Sequence, residues 1–76
     1  MKHFEITYYA LNTPLTYACT TIKEATDALC NIITIDPKAF SGNIDELIHI
    51  LVNMKYGCHL KHTQNRLSIK YVEGEV

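Results

Sequence analysis

Thr21-Ile22-Lys23-Glu24-Ala25-Thr26-Asp27-Ala28-Leu29-Cys30-Asn31-Ile32-Ile33 is where the chain changes period, and its reading decides the fold. Thr21 and Glu24 form an S/T-x-x-E capping box. The Thr21 hydroxyl accepts from a free N–H of the first helical turn, and the Glu24 carboxylate reaches back to the Thr21 N–H. Behind this cap, Ile22, Ala25, Leu29, Ile32 and Ile33 fall on one stripe about 100° wide. Lys23, Glu24, Asp27 and Asn31 take the other side. The pattern predicts a helix from Ile22 to about Ile33.

Upstream the period is two. From His3 to Leu11, Phe4, Ile6, Tyr8 and Ala10 alternate with His3, Glu5, Thr7 and Tyr9, the mark of a half-buried strand. Asn12-Thr13-Pro14 supplies turn chemistry, and Leu15 to Thr20 reads as a second strand with Leu15, Tyr17 and Cys19 on one face. The short turn predicts an antiparallel hairpin.

Downstream, Asp36-Pro37 suits an N-cap followed by the first helical position, so Pro37 to Phe40 is expected to form one short turn with Phe40 in the core. Asn43 with Glu46 three residues on starts a second helix, Ile44 to Tyr56, which Gly57 terminates. Alternation then returns over Cys58–Thr63 and Arg66–Glu73, with Gln64-Asn65 as the turn and Leu67, Ile69 and Tyr71 on one face. The order ββααββ predicts an α+β domain: a four-stranded antiparallel sheet with two helices packed on one face. One compact domain over residues 1–76 is expected, with 74–76 a frayed tail. The strand order does not follow from the sequence.

The opening strand, turn and strand, followed by Thr21 to Leu29, is similar to the start of many small bacterial domains, including HicB-like antitoxins. The similarity covers roughly a third of the chain. It consists of generic capping and packing residues, and the helix pair that follows departs from the pattern, so no function is carried over from it.

Composition narrows the classes of function. Of the 76 residues 47% are apolar and 20% charged, and the net charge is −1. That is too apolar for a disordered tail and too near neutral for a general nucleic-acid coat protein. No apolar run approaches the ~20 residues needed to span a bilayer, so no membrane partner is expected. The N-terminus lacks the apolar core of a signal peptide, which predicts a cytoplasmic chain. Cys19, Cys30 and Cys58 are odd in number, and their spacings of eleven and twenty-eight residues match no CxxC pattern. They read as small buried hydrophobes. Without staples, a core of this size supplies only about 3–5 kcal/mol, so association is a live expectation from size alone.

Three features bear on function. On the second helix, Ile44, Leu47, Ile48, Leu51 and Val52 make the expected inward stripe, while Ile50 and Met54 widen the apolar arc to about 200°, beyond the ~100° that packing on one sheet requires. Either the first helix and Phe40 cover this flank, or Ile50 and Met54 form an exposed patch for a second subunit or a target. Next, no acid occurs between Glu46 and Glu73, whereas Lys55, Lys61, Arg66 and Lys70 all do. If Leu67, Ile69 and Tyr71 face inward, Arg66, Ser68 and Lys70 face outward beside Lys61 and His59, with Tyr9 on the first hairpin. This face is either an ordinary solvated sheet surface or a contact for single-stranded nucleic acid or an acidic partner. Last, Cys58 and His62 share a strand face but lie about 13 Å apart, too far to hold one ion or to act as a nucleophilic pair unless the backbone after Gly57 is irregular or folding brings in His3, His49 or Cys19.

No P-loop, GxGxxG or paired acid and base is present, so no enzyme, catalytic residue, metal or cofactor is expected. The expected function is a small non-enzymatic protein-interaction module, a regulator or inhibitor of the kind carried by phages and mobile elements. It would bind a protein partner or form a homodimer, with Ile50 and Met54 as the apolar contact. The alternative is a nucleic-acid-binding domain using Tyr9, His59, Lys61, Arg66 and Lys70.

Overall fold

The computed structural model describes residues 1–10, 12–57 and 61–74. Strands β1 (Lys2–Tyr9) and β2 (Pro14–Cys19) lead into helix α1 (Ile22–Ile35). A 3-10 turn (Pro37–Ala39), helix α2 (Ile44–Lys55) and strands β3 (Lys61–Gln64) and β4 (Leu67–Glu73) follow. The fold is α+β in the order ββααββ, and the four strands form one antiparallel sheet in the order β2-β1-β4-β3. The last strand therefore returns to the first, and β2 and β3 are left as edges.

Local chemistry sets the helix ends. At α1 the Thr21 hydroxyl accepts from the Glu24 N–H at 3.1 Å, and the Thr21 N–H donates to the Glu24 carboxylate at 3.2 Å. Thr20 adds a hydroxyl donor to the same carboxylate at 2.7 Å, so two hydroxyls and two backbone N–H groups hold Glu24. These bonds hold the Glu24 carboxyl below the usual carboxylate range, with the Thr20 hydroxyl the largest cause. The helix runs to Ile35, two residues past the expected end, and stops where Asp36 is forced out of helical geometry by the proline after it (φ −137°, ψ 86°). Asn43 caps α2 by accepting from the Glu46 N–H at 2.9 Å. Gly57, at φ +85°, follows the last turn as expected. Gly42 joins the 3-10 turn to α2 at φ +149°, where an added Cβ would meet the Phe40 ring at 2.9 Å.

Both expected hairpin turns shift by a residue or so. Pro14 belongs to β2 as its first residue, a position on an edge strand where the missing N–H costs no ladder bond. The β3–β4 turn is Asn65-Arg66, because Asn65 takes the left-handed conformation (φ +51°) that a tight hairpin requires. The expected strand residues Cys58, His59 and Leu60 lie outside the described residues.

The core lies between one sheet face and the helices. Phe4 and Ile6 of β1, Cys19 of β2, and Leu67 and Ile69 of β4 meet Ala25, Leu29 and Ile32 of α1 and Leu47, Leu51 and Met54 of α2. Phe40 is buried with them as expected, though it follows the Pro37–Ala39 turn instead of closing it. Burial raises the Cys19 thiol pKa, as expected for a small core residue; Glu24 adds to the effect.

The candidate interaction surfaces

The α2 helix corrects the expectation for the apolar flank. Met54 is fully buried and part of the core, and Ile50 is half-buried against it. The inward stripe is Leu47, Leu51 and Met54, which rotates the helix away from the expected stripe headed by Ile44 and Ile48. Those two side chains are left 44% and 37% exposed. Val52 is half-buried, and Tyr56 at the helix end is 74% exposed. Ile44, Ile48, Val52 and Tyr56 recur every four residues, so they form one line along the helix surface. The physical reason lies in the excess itself. An arc of about 200° admits more than one inward direction, and the sheet and Phe40 choose among them.

Ile50 faces the other way, lining a cavity of about 290 Å³ with Asn53, Lys61 and His62. Two residues expected on separate surfaces, Ile50 and Lys61, thus meet there. His62 pairs with Ile69 in the sheet register and stands on the helix side, 6.5 Å between ring centroids from Phe40.

On the far side of the sheet the register gathers several of the expected residues. Lys61 pairs with Lys70, and Lys70 pairs with Glu5 on its other flank. Both lysines are exposed, as is Tyr9. Glu5 therefore interrupts the cationic patch from the central strand. Between this row and Tyr9 runs a row of hydroxyls, Thr16, Thr7, Ser68 and Thr63, one from each strand. The Thr7 and Thr16 hydroxyls are 3.3 Å apart. Ser68 is buried although it faces outward, because its short side chain lies between two threonines. At the end of the sheet, His3 is buried and its Nε2 stands 3.4 Å from the Glu5 carboxylate. His59 lies outside the described residues.

Arg66 has a different partner from the one its sequence position suggested. Its Nε and Nη2 donate to the two oxygens of Asp36, each at 2.7 Å, and the Tyr8 hydroxyl donates to the same carboxylate at 2.9 Å. The Arg66 guanidinium holds the Asp36 carboxyl below the usual carboxylate range, helped by the Tyr8 hydroxyl. That hydrogen bond to Asp36 in turn raises the Tyr8 pKa. Asn65 donates to the Lys38 carbonyl at 2.8 Å, and Gln64 to the Ser41 carbonyl at 3.1 Å. The β3–β4 turn is thereby stapled to the segment between the helices, and a shallow cleft of about 720 Å³ lies beside the staple.

This anchor has a consequence at the opposite edge. Asp36 fixes the end of α1 to Tyr8 of β1 and to Arg66 beside β4, inward of β2. Leu15 and Tyr17, on the helix side of β2 as expected, are left 46% and 41% exposed, whereas Cys19 beside the start of α1 is buried. Nothing local in the sequence signals this; Tyr8, Asp36 and Arg66 are about thirty residues apart in turn.

Among the described residues no helix is long and apolar enough to cross a membrane, and no group of three or more His, Cys, Asp or Glu side chains converges. Comparisons with protein-family models, curated proteins and solved structures match nothing to this chain.

Proposed function

We propose that this chain is a small non-enzymatic protein-interaction module, a regulator or inhibitor that acts by covering part of a partner protein or by self-association. The observation that carries the reading is the apolar line along α2 and its C-cap, with Ile44, Ile48 and Tyr56 exposed and the half-buried Val52 between them. It takes over the role expected of Ile50 and Met54. The centre of a protein interface is depleted of charge and enriched in aromatic residues such as tyrosine, and an apolar row at four-residue spacing fits a groove or a second helix. Asp45 and His49 border the line and supply a polar rim. A cytoplasmic setting belongs to the same proposal and rests on Cys19 and Cys30 as free thiols.

The test is affinity capture from source-cell extract with the wild-type chain and an Ile48→Glu variant as baits, compared by quantitative mass spectrometry. A protein held by the wild type and released by the variant supports the reading. Equal capture by both baits, together with an oligomeric state that Ile48→Glu leaves unchanged, sinks it.

The alternative, nucleic-acid binding on the outer sheet face, draws on the adjacent exposed pair Lys61 and Lys70 with Tyr9 on the same face. Glu5 beside Lys70 and the commitment of Arg66 to Asp36 count against it. That reading predicts oligonucleotide binding that weakens steeply with salt and is lost when Lys61 and Lys70 become Glu. Absence of binding at low salt ends it.

A further inference from the structure

The two edges of the sheet are unlike. Over the described residues β3 spans Lys61–Gln64 and carries Lys61, a charge of the kind that resists pairing with another strand. β2 is six residues long and has no charged residue, and five of its six residues, Pro14 to Ala18, are exposed. Every second backbone N–H and C=O of such a strand points away from the sheet and lacks a ladder partner. Its helix side adds the exposed Leu15 and Tyr17.

We infer that β2 is the edge through which two copies of this chain pair, antiparallel and centred on Thr16. The strand is complementary to itself in that register. Placing Thr16 opposite Thr16 of the second copy sets Leu15 beside Tyr17 of that copy, twice, on the helix side. Aliphatic–aromatic neighbours of this kind are among the stabilising cross-strand pairs. On the outer side, the hydroxyl row Thr63, Ser68, Thr7 and Thr16 continues into its symmetry mate. Ala18 falls opposite Pro14, which places the residue that cannot donate at the end of the new ladder.

Charge fits the same register. On the outer face the charged side chain next to β2 is Glu5, opposite Ala18 and next to Lys70 on its other side. Across the symmetry axis its row continues through Ala18 to Pro14 and then Tyr9 of the second copy, so no like charges are brought together. The β3 edge offers no such match: it carries Lys61 beside Lys70, and its Leu- and Tyr-free sequence supplies no apolar pair across an axis. An edge of about 20 Å with two apolar side chains per copy lies at the small end of interface sizes, so the dimer is concentration-dependent. This second surface is separate from the α2 line and stands or falls independently of it.

Sedimentation velocity from micromolar to millimolar protein tests the inference, with Thr16→Lys and Thr16→Glu as variants. Thr16 is exposed, so either charge is tolerated in the monomer. The wild type is expected to shift from monomer to dimer as concentration rises. Each variant alone is expected to remain a monomer, because two like charges face each other at the axis. An equimolar mixture of the two is expected to dimerise again, which also establishes that both are folded. A wild type that is monomeric at millimolar concentration overturns the inference. So does a dimer that persists in both variants, or a mixture that does not recover. A capture partner lost with Ile48→Glu is unaffected by any of these results, so the two readings fail separately.

Discussion

Asp36 shows how much one side chain can organise in a small protein. It ends α1, caps the 3-10 turn by accepting from the Lys38 N–H, and receives Tyr8 and Arg66 on the same carboxylate. Its native pKa is depressed, so in the native state it binds its proton less tightly than when unfolded. The stability it contributes is therefore fully present above the ordinary carboxylate value of about 4 and is lost as pH falls through the lower native value. Asp36→Asn removes this dependence and weakens the Arg66 contact. We expect the urea midpoint of the wild type to fall more between neutral and acid solution than that of the variant. Glu24 titrates in the same direction but is common to both proteins, so the difference isolates Asp36. Equal falls would show that the Asp36 cluster carries no pH-dependent stability. The Asp36 N-cap and the proline after it were legible in the sequence. Its partnership with Arg66 was not, because an ion pair across thirty residues exists only once the chain has folded.

At the scale of elements, the hairpins and helices follow from local signals, whereas the rotation of α2 does not. The Thr21–Glu24 cap and the Asn43 and Gly57 boundaries are short-range chemistry, and each appears where its residues placed it. The apolar residues of α2 are more numerous than one buried face needs, so helical periodicity left the inward direction open. The outcome separates two substitutions that look alike on a helical wheel. Met54→Glu puts a charge into the core and is expected to cost several kcal/mol, about 3–5 if the charge finds no partner. Ile48→Glu changes an exposed residue and is expected to leave stability within about 0.5 kcal/mol. Chemical denaturation of the two variants checks this. Equal loss in both would mean that Ile48 is covered in solution.

For the whole molecule, the small core leaves little reserve. Leu51 is fully buried between the sheet and the helices. Leu51→Ala is expected to cost about 2–5 kcal/mol, comparable to the ~3–5 kcal/mol that a core of this size supplies. Circular dichroism melting should find the variant largely unfolded at ambient temperature. A cooperative transition close to that of the wild type would imply stabilisation from outside this core, and a dimer through β2 would be one source.

The sequence by itself determined the order of elements, the capped helix starts, and the α+β class with helices on one face of the sheet, because alternation, capping and turn chemistry act over a few residues. It also placed Tyr9, Lys61 and Lys70 on one side of the sheet, since a strand's two faces follow from parity alone. The tertiary structure decided which strands became edges, which face of α2 turned inward, and whether Arg66 was free or paired with Asp36. Those outcomes depend on pairings between distant segments and on how the elements share a limited core. Met54 was thereby buried, and Leu15, Tyr17, Ile44 and Ile48 were left at the surface.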